Sequence, residues 1–138
     1  MAPERKYQNE ARVYVAGQEL KDVYECYYQM RTEMARSGLP TKNARPHRVF
    51  IVRRSETETP GFTWAYNSQP KNFQSGKIEL YNTKGEVMKV FEWDKGYVAR
   101  YKEGVPDLTA SERATMLEEY EICAEEFRCG DAVAKCHW

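Results

Sequence analysis

The chain has 138 residues, enough for one domain with a substantial core. Its 21 Lys and Arg are matched by 21 Asp and Glu. That balance removes the electrostatic case for nucleic acid or an anionic membrane as a partner. No apolar run is long enough to insert into a bilayer, and the opening Met1-Ala-Pro-Glu-Arg-Lys is polar, unlike a signal peptide. The expectation is a protein folded in the cytoplasm that leaves the cell, if it does, through a dedicated machine. Aromatic residues are 13% of the chain, with ten tyrosines, a composition that suits the pleated surfaces of strands.

Residues 1–10 read as a polar, flexible arm, and 11–138 as a single domain. Val13 and Val15 alternate with Arg12 and Tyr14, a strand that Gly17-Gln18 should turn into a hairpin. Glu19 to Met34 alternates through Leu20, Val23, Tyr24, Cys26, Tyr28 and Met30, with a bulge expected near Asp22. Ala35 to Pro46 has the Gly, Pro and Asn of a loop, together with Arg36, Lys42 and Arg45. The next strand, His47 to Arg53, is apolar on both faces at its centre. Pro60-Gly61 opens a short helix through Asn67, with Phe62, Ala65 and Tyr66 at helical spacing. Gly76 to Tyr81 alternates cleanly, Ile78 and Leu80 facing inward. Asn82 to Gly85 reads as a turn, Val87 to Trp93 as a strand, Asp94 to Gly96 as another turn, and Tyr97 to Tyr101 as a further strand. The pattern is that of a β-meander.

Thr109 to Phe127 points two ways. Thr109 and Glu112 form a capping-box pattern, and Ala and Glu are abundant, which favours a helix. Tyr120, Ile122 and Ala124 also alternate with Glu119, Glu121 and Glu125, as in a strand. Cys123, Cys129, Cys136 and His137 lack the close Cys-x-x-Cys pairs that shape zinc sites, so reduced thiols are expected and no metal. No cofactor is implied and no catalytic residue assigned. His47 and His137 lie far apart, no phosphate-binding glycine loop occurs, and Cys26 reads as a buried strand cysteine rather than a nucleophile.

An early hairpin leads to Tyr27-Tyr28 and Arg31, then Gly38-Leu39-Pro40, a strand, and a helical stretch with Trp64 and Asn67. Ser75-Gly-Lys-Ile-Glu-Leu-Tyr81, Met88-Lys-Val-Phe91 and Gly96-Tyr-Val98 follow, then Tyr101 and Glu103. Ile122-Cys-Ala-Glu-Glu125, Gly130 and Trp138 end the series. In order and spacing these resemble the haemolysin-coregulated protein (Hcp, TssD) family of type VI secretion tube subunits, in its Bacteroidota-like branch. The resemblance implies a mainly β fold: a small antiparallel β-barrel or sandwich flanked by one short α-helix, like a phage tail tube. It makes Met116 to Phe127 a closing strand. Leu108 to Thr115, rich in helix formers, departs from the family pattern and leaves room for a helical turn.

The implied function is structural rather than enzymatic: hexameric rings that stack into an expelled tube and carry effector proteins in the lumen. Spike, sheath and baseplate proteins would be its partners. The protein would be cytoplasmic before assembly and secreted through the type VI apparatus without a signal peptide. Val49, Phe50, Ile51 and Val52 are candidates for ring closure, with burial beneath the helix as the alternative. Arg36, Gly38, Leu39, Pro40, Lys42 and Arg45 are candidates for ring stacking, against a plain solvated loop. Glu118 and Glu119 are the candidate acidic partners on another ring. Trp64 and Trp93 fit the core better than a contact surface, and Trp138 fits a docked tail. Two other functions suit the same residues: a monomeric β-barrel holding a small ligand, or a tail-tube or adaptor protein of another contractile injection machine.

Overall fold

A computed structural model describes residues 10–32, 34–40, 45–57, 60–105, 108–109 and 116–135. Among them are strands β1 (Glu10–Val15), β2 (Gln18–Glu19), β3 (Val23–Arg31), β4 (Arg45–Arg54), β5 (Gln74–Tyr81), β6 (Val87–Gly104), β7 (Leu117–Cys123), β8 (Glu126–Cys129) and β9 (Ala132–Lys135). Helix α1 (Pro60–Tyr66) and a short 3-10 turn (Pro70–Asn72) join β4 to β5. Among the described residues the fold is mainly β with one short helix, as the sequence implies.

All pairings are antiparallel, in the order β2-β1-β5-β6-β7-β4-β3, with β8 added to β6 and β9 to β8. The long strand β6 serves two sheets. Its first half pairs with β5 and β8, placing Phe91 opposite Ile78 and Cys129. Its second half pairs with β7, placing Val98 opposite Ile122. β7 and β8 run back along β6 and break at Ala124–Glu125, where the Glu125 N–H donates to the Asp94 carbonyl at 3.2 Å. Both strands therefore bend at one corner, and the two sheets fold over a common core. β2 and β3, the ends of the pairing order, do not pair with each other, so the barrel stays open.

The first sheet contributes Val13, Ile78, Phe91, Trp93 and Phe127 to the core, and the second contributes Val49, Ile51, Val98, Tyr120 and Ile122. Tyr28 of β3 stacks on Phe91 of β6 with ring centroids 3.9 Å apart, joining the two sheets directly. Trp93 fills the corner. It is wholly buried, and its indole N–H donates to the Gln74 carbonyl at 3.2 Å. Glycine backbones flank its ring. A Cβ at Gly76 would strike the ring and lie 2.6 Å from the Tyr14 carbonyl oxygen, and one at Gly96 would lie 2.6 Å from Trp93 Cδ1.

Several expectations shift. The first turn is Ala16–Gly17, with φ of 52° and 80°, because Val15 pairs with Gln18. Positive φ at both loop residues gives the type I′ twist that matches strand twist. The run from Glu19 to Met34 is not one strand: Asp22, at φ 54°, breaks it and β3 begins at Val23. Asp94 to Gly96 is no turn, since β6 continues through it. Lys95, at φ 52°, shifts the alternation so that Trp93 and then Val98 both face inward. In α1, Gly61 and Trp64 face the core, while Phe62 and Tyr66 face outward. The reason is steric: the missing side chain of Gly61 lets the helix rest on Tyr120, whose Cζ lies 2.6 Å from a Cβ placed there. β7 and β8 settle 117–123 and 126–129 as strand, so the expected closing strand is two strands, whereas 110–115 fall outside the described residues.

Overpacking a filled core typically costs about 1–3 kcal/mol. Gly76→Ala should therefore lower stability by about that amount. Urea unfolding followed by tryptophan fluorescence checks this, and an unchanged midpoint would show that the corner can yield.

Candidate assembly surfaces

Period-two alternation divides the second sheet into two sets of rows. On the inner face, Cys26, Ile51, Tyr120 and Tyr101 form one cross-strand row, and Tyr28, Val49, Ile122 and Val98 the next. On the outer face the rows are Glu25, Val52, Glu119, Lys102 and Tyr27, Phe50, Glu121, Arg100. The four candidate ring-closure residues thus separate. Val49 and Ile51 are core, while Phe50 and Val52 are half-buried on the outside. Phe50 stacks on Tyr27 at 4.8 Å between centroids.

Charges flank this apolar strip. Glu121 is ion-paired with Arg48 and lies 3.2 Å from Arg100, and Lys102 Nζ lies 3.7 Å from Glu119. Tyr27, Phe50, Val52, Arg100 and Glu121 border a shallow hollow of about 220 Å³. Arg48, Arg100, Lys102 and Glu121 do not stand out in the sequence. A signal is nonetheless available, since they alternate with buried residues on strands whose other face is core.

The stacking candidates lie at the far end of the β3–β4 hairpin. Arg31 pairs with Arg45, and beyond that pair Met34 bridges Pro40. The Ala35 N–H donates to the Leu39 carbonyl at 2.8 Å, and Gly38, at φ 86°, closes the turn. Arg36, Leu39 and Pro40 are exposed. Lys42 and the side chain of Arg45 lie outside the described part, as do residues 1–9, Cys136, His137 and Trp138.

The two candidate acidic partners have different surroundings. Glu119 faces outward beside Lys102. Glu118 is only 2% exposed and faces inward, 3.8 Å from Arg53, itself 3% exposed. As a partner for another subunit Glu118 is a correction: strand alternation turns it inside. The Tyr120 hydroxyl donates to Glu118 at 2.6 Å, and Arg53 reaches Glu56 at 2.5 Å and the Lys21 carbonyl at 3.2 Å. Burial, then the contact with Glu118, pushes the Tyr120 phenol well above its ordinary value, so it stays protonated as a donor. Removing one member of this buried pair would leave a charge uncompensated, which typically costs about 3–5 kcal/mol.

The outer face of the first sheet is also lined with charge. Arg12 lies over the Tyr81 ring at 5.1 Å and Lys77 over Tyr14 at 4.9 Å. Arg128 contacts three carboxylates: Asp94, Glu126 at 2.6 Å and Glu92 at 3.1 Å. A groove of about 500 Å³ runs between the β1–β2 hairpin and α1, past Leu20, Arg53 and Trp64. Burial pushes the Cys26 thiol up, away from nucleophilic reactivity. Among the described residues no group of three or more His, Cys, Asp or Glu is placed to hold a metal ion. No helix among them is long and apolar enough to cross a membrane.

The same architecture occurs in contractile injection machines. A chain from the sheath/tube terminator structure of an extracellular contractile injection system (PVC) superposes with a TM-score of 0.58 and 15% identity, covering 94% of this chain and 96% of that one. Hcp1 from Flavobacterium johnsoniae superposes at 0.75 with 23% identity, covering 91% and 98%. Hcp1 from E. coli EAEC 042 gives 0.68 and 11%, covering 93% and 98%. No curated protein sequence matches. The sequence model for the haemolysin coregulated protein Hcp (TssD) matches residues 8–138, and the chain belongs to that family of tube proteins.

Arg128 holds the Asp94 carboxyl below its usual range, chiefly through their hydrogen bond. A lowered folded-state value contributes stability that is present above the unfolded value, about 4, and lost as pH falls through the folded one. The melting-temperature gap between the wild type and Arg128→Ala should therefore be widest above about pH 5 and shrink below about pH 4. A gap constant with pH would contradict this coupling.

Proposed function

We propose that this chain is the inner-tube subunit of a type VI secretion apparatus, closing into hexameric rings that stack into an expelled tube. Family membership across nearly the whole chain carries the reading. A head-to-tail contact between different faces of identical subunits closes into a ring when its rotation divides the circle evenly. Phe50, Val52 and Tyr27 supply an apolar strip for that contact, on a strand fixed from within by Val49 and Ile51. The charged rows beside it set the register, because charge complementarity orients an interface more than it tightens it.

In this reading the hairpin end, with Arg36, Gly38, Leu39, Pro40, Lys42 and Arg45, stacks one ring on the next. The ring lumen carries effector proteins, and spike, sheath and baseplate proteins complete the machine. The chain is cytoplasmic before assembly and leaves through the apparatus. Likeness to a terminator chain favours a second reading, an adaptor fixed at the tube end that does not stack beyond one ring. A ligand-binding barrel has less support, since Trp93, Phe91 and Phe127 fill the interior.

Light scattering and negative-stain microscopy of the reduced protein should show hexameric rings with a central hole. Phe50→Asp should give folded monomers with unchanged near-ultraviolet dichroism. A wild-type chain that remains monomeric over a wide concentration range would overturn the tube reading.

A further inference from the structure

The β1–β2 hairpin and α1 stand on either side of the groove of about 500 Å³, a volume typical of binding sites. Val15 and Leu20 line one wall, Pro60 and Trp64 the other, and Arg53 and Tyr120 also border it. Trp64 is 7% exposed. Among the described residues, its indole Nε1 is the only buried side-chain nitrogen or oxygen without a hydrogen-bond partner. Trp93 makes the contrast, since its indole N–H donates to the Gln74 carbonyl. An enclosed donor without an acceptor is costly, and an indole N–H can only donate. Any group that completes this site at Trp64 is therefore an acceptor.

The opposite wall offers backbone. β2 lies at the end of the pairing order, and among the described strands it pairs with β1 alone. The Leu20 N–H donates to the Val13 carbonyl at 2.8 Å, and Glu19 faces Tyr14 at the neighbouring position. Antiparallel pairs alternate between bonded and non-bonded, so the Glu19 N–H and carbonyl point away from β1, toward the free edge. A free edge accepts an added strand, whose main-chain bonds need no particular sequence. Charge narrows the choice of guest. Lys21 Nζ lies 3.4 Å from Glu19, and Arg53 lies 2.5 Å from Glu56. Both cations on the groove wall already face carboxylates, so a charged guest would have to compete with a pair in place.

We propose that this groove binds an extended, uncharged peptide segment of another protein. The segment adds to the β2 edge at Glu19 and gives a main-chain carbonyl to the Trp64 N–H. Its apolar side chains pack on Leu20 and the Trp64 ring. The N–H is enclosed, so the carbonyl reaches it as α1 shifts outward. A helix of seven residues has little stability of its own, and α1 is held to the core through Gly61 and Trp64. The groove belongs to a single subunit, so this inference goes beyond the tube reading and does not depend on it.

The test is calorimetric titration of the reduced, full-length protein with the blocked peptide acetyl-Thr-Val-Thr-Val-Thr-amide. The wild type should bind it saturably, with Kd below about 1 mM. Trp64→Phe keeps a ring on α1 but removes the donor, and should weaken binding about fivefold, the worth of one hydrogen bond. Glu19→Pro removes the outward N–H at an edge position where proline is tolerated. Its near-ultraviolet dichroism should match the wild type, while binding falls at least about tenfold. A wild type that does not bind, or binding that Glu19→Pro leaves intact, overturns the proposal. Tighter binding of acetyl-Lys-Val-Lys-Val-Lys-amide or acetyl-Glu-Val-Glu-Val-Glu-amide does the same. Light scattering on the same samples reads ring formation, and so judges the tube reading separately.

Discussion

Trp93 occupies the point on which the two-sheet architecture turns. An 18-residue strand cannot stay flat and also border two facing sheets, so β6 must bend, and it bends beside this ring. The indole is seated between the backbones of Gly76 and Gly96, where a side chain of any size would collide with it. Its N–H is satisfied by the Gln74 carbonyl, so the largest fully buried side chain carries no unmet polar group. The left-handed Lys95 and the break at Ala124–Glu125 accommodate the same corner from either side. Without a bulky, fully enclosed group there, the first sheet would have no fixed angle to the second.

Once the corner is set, alternation along the second sheet assigns each residue to the core or to the surface available for association. Inner rows hold the domain together through Ile51, Val49, Ile122 and Tyr120. Outer rows combine apolar and charged groups, and every charged member described on β4, β6 and β7 of those rows has a partner of opposite sign. Paired exposed charges contribute little to stability. Their value lies in orientation, which an assembling subunit needs. The buried Arg53–Glu118 pair is different: enclosed charges are costly, and here they close the sheet end beneath α1, with Tyr120 donating to Glu118 and the helix resting on Tyr120 through Gly61.

Much of this architecture is legible in the residue pattern alone. Val13, Val15, Ile78 and Ile122 announce their strands because they alternate with polar residues. Two-sided apolarity in 49–52 marks a strand with Val49 and Ile51 in the core and Phe50 and Val52 half-buried on the outer face. The features that the pattern misses have a common cause. A strand that passes a left-handed residue changes phase, so β6 reads as two strands with a turn between them. In α1 the sequence shows three apolar residues at helical spacing, yet the buried face is decided by Gly61 and Trp64, through a close approach to Tyr120 that only the fold brings about. Glu118 reads as surface because charge usually is surface, and the cation that keeps it inside stands 65 positions away. Pairings such as β1 with β5 and β4 with β7 are non-local and leave no trace in spacing.

A rigid corner, a two-faced sheet and a projecting hairpin together make one subunit of a tube. An electron cryo-microscopy reconstruction of the assembled protein tests this most directly. It should show sixfold rings in which the Tyr27, Phe50 and Val52 strip lies against the adjacent subunit, with residues 34–40 reaching along the tube axis. A reconstruction with that strip facing solvent, or with subunits related by a twofold axis, would contradict it.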